Sequence, residues 1–224
     1  MPVQFGTVNP PSTTSIPATT NAPLLQGQQG DGIVSELHGK YYTQNKYGNL
    51  YYASTAAAGV TVSIFSNASF TGMFIWNPQG SGRNLSIVRT MIGCNAAAAT
   101  AEAGFGYAWL TNAGASLGTA APISATTPIT ATRGSCNVGV AAGQGTSVAL
   151  VGSAATLTTA MTWGRFSGFS SSTGAITTQI ALGMMIENFD GDMIIPPGVF
   201  WTMTSSIASG GTFGLSAVWE ELPL

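Results

Sequence analysis

The only histidine in the chain is His38, and the only cysteines are Cys94 and Cys136. A hydroxyl nucleophile needs a base beside it, and His38 sits in Glu36-Leu37-His38-Gly39-Lys40 with no nucleophile adjacent, which reads as a hydrogen-bonded residue at a strand edge. The cysteine contexts, Ile92-Gly93-Cys94-Asn95 and Gly134-Ser135-Cys136-Asn137, hold no cation to form a thiolate except Arg133 nearby. One histidine and two separated cysteines also fall short of the four ligands of a closed zinc site. The thiols read as two small buried hydrophobes or as one bridge, and two cysteines do not make a disulfide scaffold.

Acidic chemistry has one focus, Glu187-Asn188-Phe189-Asp190-Gly191-Asp192. Asp190 and Asp192 with Asn188 could hold a calcium ion, because hard cations take several carboxylate and carbonyl oxygens. The glutamate at the twelfth position and the flanking helices of an EF-hand are missing. The competing reading is a turn entering a strand, with Asp capping backbone and Gly supplying positive φ. A carboxylate pair for glycoside cleavage, drawn from these residues and Glu220-Glu221, has only proximity in the sequence behind it. Gly80-Ser81-Gly82 and the run Gly139 to Gly145 lack the Lys-Ser/Thr of a phosphate loop and read as loop tips. Tyr41, Tyr42, Tyr47, Tyr51 and Tyr52 could stack sugars or bases, or could form a strand face against a neighbour. The expectation is no catalytic and no cofactor-binding residue, no cofactor and no metal, with Asp190 and Asp192 the metal candidates.

The elements that would position these residues are constrained first by charge. Six Lys or Arg and eight Asp or Glu give 6% charged residues and a net charge of −2 over 224 residues, against roughly 25% in an ordinary domain. That excludes a charged disordered chain, a phosphate-neutralising nucleic-acid binder and a coiled coil. A hydroxyl-rich surface with so little charge has weak colloidal protection as a free monomer, and assembly with partners would remove that liability. No secretory leader and no apolar run of membrane-spanning length is seen; Met193 to Met203 is interrupted by Pro196-Pro197-Gly198. Expression in a cytoplasm is expected, so the sequons at Asn67 and Asn84 read as chance matches.

Residues 1–32 read as an extended Pro/Thr-rich arm, with Pro2, Pro10, Pro11, Pro17 and Pro23 and no charge before Asp31. It carries isolated apolar anchors, Val3, Phe5, Ile16, Leu24 and Leu25. The arm is either a mobile tail or a segment that orders along a neighbouring subunit, and without a cation it suits protein and not nucleic acid.

Residues 33–224 read as a single β-sandwich domain. Val60, Val62 and Ile64 alternate with Thr61 and Ser63 as in a half-buried strand. Further strands are expected at Lys40–Thr43, Gly48–Ser54, Gly72–Asn77, Leu85–Gly93, Gly104–Thr111, Thr146–Val151, Met161–Phe166 and Ala175–Leu182. Val199, Trp201, Met203 and Ile207 share one parity, as do Phe213, Leu215, Ala217 and Trp219 on the next run. With Ala208-Ser209-Gly210-Gly211 between them, Val199–Ile207 and Thr212–Glu220 read as a long hairpin. Ala96 to Ala103 is at most a helical turn, and 112–145 is a loop or edge excursion. Short strands without βα alternation give an all-β antiparallel sandwich, best fitted by a jelly roll.

His38-Gly39-Lys40-Tyr41-Tyr42, the stretch Tyr52 to Thr61, Phe189-Asp190-Gly191-Asp192 with Pro196-Pro197-Gly198, and the closing Trp219-Glu220-Glu221-Leu222-Pro223 resemble structural proteins of tailed-bacteriophage virions. The resemblance covers about residues 36 to 224 and leaves out the arm. The Pro-Pro-Gly turn before a long last hairpin also looks like the end of viral single jelly rolls. The resemblance implies a component of the virion; joined to the low charge, the strand-and-turn pattern, the arm and the absence of a catalytic constellation, it gives as the expectation a non-enzymatic capsid decoration or cement subunit, a homo-oligomer expected to be a trimer, assembled in the host cytoplasm. Its partners would be the major capsid protein or other virion proteins, with neither nucleic acid nor membrane, and its interface would use Phe5, Ile16, Leu24, Leu25, Tyr41 and Tyr42. The alternatives are a jelly-roll major coat protein and a tail or fibre module that binds host glycans through residues 41–52.

Overall fold

The computed structural model describes residues 5–7, 21–23, 39–66, 69–96, 103–111, 123–128, 134–136, 147–157, 160–170, 184–207 and 210–224. In chain order the elements are β1 (Phe5–Thr7), β2 (Asn21–Pro23), α1 (Tyr42–Lys46), β3 (Leu50–Ser54), β4 (Ser69–Asn77), β5 (Arg83–Ala96), β6 (Ala103–Leu110) and β7 (Ile123–Pro128). There follow β8 (Gly134–Ser135), β9 (Leu150–Leu157), β10 (Thr162–Ser170), β11 (Met184–Asn188), β12 (Ile194–Ile195), β13 (Val199–Ser205) and β14 (Thr212–Pro223). Among the described residues the protein is all-β apart from the short α1, and its ladders are antiparallel.

Two sheets make the sandwich. The first has the order β10-β6-β13-β4-β9-β7 and the second β11-β5-β14-β3-β8, with β12 also pairing β5. Eight strands pair in nested fashion: β3 with β14, β4 with β13, β5 with β11 and β6 with β10. Successive pairs fall in opposite sheets, and β5–β14 and β6–β13 ladders join them within each sheet. The chain is thus a long doubled ribbon wound around one core.

That core is built from alternate residues. In β14, Phe213, Leu215, Ala217 and Trp219 point inward, and they meet Met73, Ile75, Phe105, Tyr107, Trp201 and Met203 from the first sheet. Phe105 and Phe213 touch across the gap with ring centroids 4.7 Å apart, and Tyr107 stacks on Trp201 at 5.4 Å. Each such buried side chain contributes roughly 1.5–3 kcal/mol. The first sheet is buried on its other face too, where Phe70, Phe74, Trp76, Ala108, Leu110 and Phe200 form a second cluster with Leu157 and Met161. The consecutive apolar run Met73-Phe74-Ile75-Trp76 is the signature of a strand covered on both sides.

Several expectations are corrected. The closing hairpin does not form: β13 and β14 lie in opposite sheets, and their large side chains face each other across the core instead of standing side by side. Shared parity and a Gly-rich reversal fit either arrangement. The alternation at 60–64 is no strand; Val60 bridges to Phe213 and Ile64 to Ser205, so this segment crosses from one sheet to the other with Val62 buried between them. Residues 40–43 run into α1 and are not a strand, and the strand expected at 146–151 begins at Leu150; the edge excursion expected within 112–145 is present as β7 and β8, each at the edge of one sheet. Ala175–Leu182 and the centre of Ala96–Ala103 lie outside the described residues. Of the arm, β1 pairs β2, with Phe5 opposite Pro23; Ile16, Leu24 and Leu25 lie outside the described residues.

Candidate interaction surface

The acidic segment is a tight turn between β11 and β12. Asp190 adopts φ of 50° and Gly191 φ of 98°, and the amide of Asp192 donates to the Phe189 carbonyl at 2.9 Å. A short polar side chain tolerates the left-handed conformation at Asp190, and Gly continues it freely. This geometry sends the two carboxylates to different cations. Asp190 Oδ1 receives Lys40 Nζ at 2.8 Å and the Tyr41 hydroxyl at 3.0 Å, and these hydrogen bonds hold its carboxyl below the usual range. Asp192 accepts from Arg165 Nη1 at 3.0 Å, while Arg165 Nη2 pairs with Glu187 and the guanidinium lies 4.6 Å from the centre of the Phe189 ring. Arg89 Nε donates to Asn188 Oδ1 at 2.8 Å.

Arg165 stands on β10 of the first sheet, whereas Glu187 belongs to β11 of the second. The turn therefore ties the two sheets together and anchors the entry to α1. Among the described residues no group of three or more His, Cys, Asp or Glu is placed to hold a metal, and the metal candidates Asp190 and Asp192 each face a cation.

A second polar anchor is Glu221, fully buried at the end of β14. Its Oε1 accepts from Ser147 Oγ at 2.5 Å, the Val148 amide at 3.0 Å and Trp219 Nε1 at 3.3 Å. A serine beside a carboxylate suggests hydrolytic chemistry, but this one is sealed in the interior and pins the segment leading into β9. The chain also contains Gly114-Ala115-Ser116-Leu117-Gly118, a string that becomes a nucleophile elbow only on a strand-to-helix turn with a histidine base. It and His38 lie outside the described residues.

The tyrosines do not form one face. Tyr41 reaches Asp190, Tyr42 and Tyr47 are exposed around α1, Tyr51 is buried against Trp219 and Tyr52 is on the opposite face of β3. Cys94 and Cys136 are free and half-buried, and burial pushes both thiols up.

Two concavities are lined by described residues. One, of about 320 Å3, opens at an end of the sandwich between Trp109, Trp201, Val199, Met193, Ile195 and Pro196. The indole N–H of Trp201 donates there to Met193 Sδ at 3.0 Å. The other, of about 260 Å3, lies on the outer face of the second sheet, between Met91, Gly93, Met184, Gly214 and Ser54. This outer face is where polar residues are expected, yet Met184, Ile186 and Ile194 are 58%, 50% and 55% exposed. Scattered exposed apolar residues are ordinary; here they line β11 and β12 beside half-buried Met91 and Val218, on one continuous surface. Among the described residues its charges are Arg89 and Glu220, and burial pushes the Glu220 carboxyl up.

No protein-family model matches the chain, and no curated protein or solved structure matches it.

Proposed function

We propose that the protein is a non-enzymatic structural subunit of a virus particle, a capsid decoration or cement protein that works through oligomeric protein contacts. The observation that carries this reading is the nested pairing of eight strands across two sheets, which we read as jelly-roll wiring, an architecture recurrent in viral capsids. Architecture alone does not make a function, and the surface supplies the second support. Lys40 and Arg165 are engaged by carboxylates, Arg89 donates to Asn188, and Arg83 stands six residues from Arg89 on β5, so the described cations are spread singly and do not form the cluster that phosphate binding needs. It presents instead an apolar, nearly neutral sheet face, which packs against protein with little charge desolvation. Repetition by symmetry then turns weak contacts into strong attachment.

On this reading the arm contacts neighbouring subunits or the major capsid protein. Deleting residues 1–30 should leave a folded protein that no longer binds shells of its own particle, measured by co-sedimentation. Normal decoration by the truncated chain would refute the role of the arm. Closed shells formed by the purified protein alone would favour a major coat protein instead.

A further inference from the structure

The outer face of the second sheet has a recess that nothing in its own fold requires. Gly93 of β5 and Gly214 of β14 are paired directly across the ladder. Neither is at positive φ. A Cβ built at Gly93 meets nothing within 4 Å, and one at Gly214 meets only the Gly93 carbonyl oxygen at 3.9 Å. Two adjacent glycines in strand interiors weaken a sheet; the ladder is irregular at Thr212/Phe213 beside them, yet neither glycine takes the positive φ that would require glycine there, and the open pair leaves room for the close approach of another chain. They floor the 260 Å3 trench, whose walls are the flexible thioethers of Met91 and Met184.

Beside the trench stands a ridge of matching chemistry, exposed Met184, Ile186 and Ile194. Among the described residues the same face carries the cation Arg89 and the anion Glu220, without an ion pair between them. Among the described residues Arg89 is exposed, donates to Asn188 and acts on the Asp190 carboxylate from a distance, and Glu220 is half-buried, with an ion pair for neither. A surface that holds a recess, a ridge and both signs of charge has what a self-complementary contact needs.

We propose that a second copy of this chain docks on the outer face of the β11-β5-β14-β3 sheet, its ridge entering the Gly93–Gly214 trench and its Glu220 meeting Arg89. This rests on the reading of the protein as an assembling subunit and names the surface that assembles. A partner of different sequence would have to supply its own ridge and charges. A copy of this chain already has them.

The test is the mass of the full-length protein by sedimentation velocity over a concentration series. Wild type should be oligomeric. A Cβ at Gly93 meets nothing within 4 Å, so Gly93→Ile should fill the trench with its melting temperature held or raised while the oligomer weakens by about tenfold or more. Arg89→Glu and Glu220→Arg, both on the surface, should each weaken it, and mixing the two should restore association in a hetero-oligomer. An oligomeric wild type that Gly93→Ile leaves unchanged overturns this face and leaves the assembling role standing. A wild type that is monomeric at every concentration overturns both. A mixture that associates no better than either charge variant overturns the Arg89–Glu220 contact.

Discussion

Replacing Glu221 with leucine should destabilise the protein by roughly 3–5 kcal/mol, although leucine is apolar and the site is fully buried. The magnitude follows from what the carboxylate receives. The Val148 amide, at 3.0 Å, and the buried Trp219 indole N–H, at 3.3 Å, would lose their acceptor. Stranding a buried donor costs about 1–3 kcal/mol each. The Ser147 hydroxyl, at 2.5 Å, can rotate and contributes less. Glu221→Gln keeps an oxygen at the Oε1 position and should cost only about 1–2 kcal/mol. Urea unfolding followed by far-UV circular dichroism measures both, and with about 2–4 °C per kcal/mol the leucine variant should melt roughly 10 °C lower. A double-mutant cycle with Ser147→Ala should give a coupling of about 1 kcal/mol or more. If Glu221→Leu costs less than about 1 kcal/mol, the carboxylate is not the acceptor that pins 147–149 to β14, and the reasoning fails.

The tie between the sheets should respond to the loss of its guanidinium. Arg165→Ala leaves Glu187 and Asp192 without their shared cation; the group is 41% exposed, so the cost should be about 1–2 kcal/mol, and Arg165→Lys should recover only part of it in the same urea titration. Asp190 gives a pH prediction. Its carboxyl is lowered from the ordinary 3.8 by the hydrogen bonds from Lys40 and Tyr41. Its contribution is therefore fully present above 3.8 and lost as pH falls through the lower folded value. Thermal melts from pH 7 to 2 should show an acid loss that Asp190→Asn reduces, and an identical acid limb in the variant would rule the contact out.

How much of this was legible in the sequence varies by element. The alternation of Phe213, Leu215, Ala217 and Trp219 gives β14 correctly, because a strand with one buried face leaves a period of two. The same alternation extends to Glu221, so its burial was readable from parity, whereas adjacent Glu220 faces outward. The false hairpin shows the limit. Parity and a Gly-rich connection say that the chain reverses, but not whether it reverses within a sheet or across the core. The crossing at 60–64 fails for the same reason, since a segment bridging two sheets alternates like a strand. For the acidic turn, spacing put Asp190 and Asp192 close together in sequence, but positive φ at Asp190 sends their side chains to separate cations. Lys40 and Arg165 are distant in sequence from the turn they bind, and only the winding of the sheets brings them there. The trench at Gly93 and Gly214 needed the ladder register, because neither glycine alone distinguishes a recess from a turn.

The most direct test of the virion role is a density map of gradient-banded particles, paired with peptide mass spectrometry of the same band. The account predicts the chain in the band at a symmetric copy number, its sandwich on the shell with copies joined through the outer face of the second sheet. A chain found only in the unbanded fraction, with no sandwich of this wiring in the map, would contradict it.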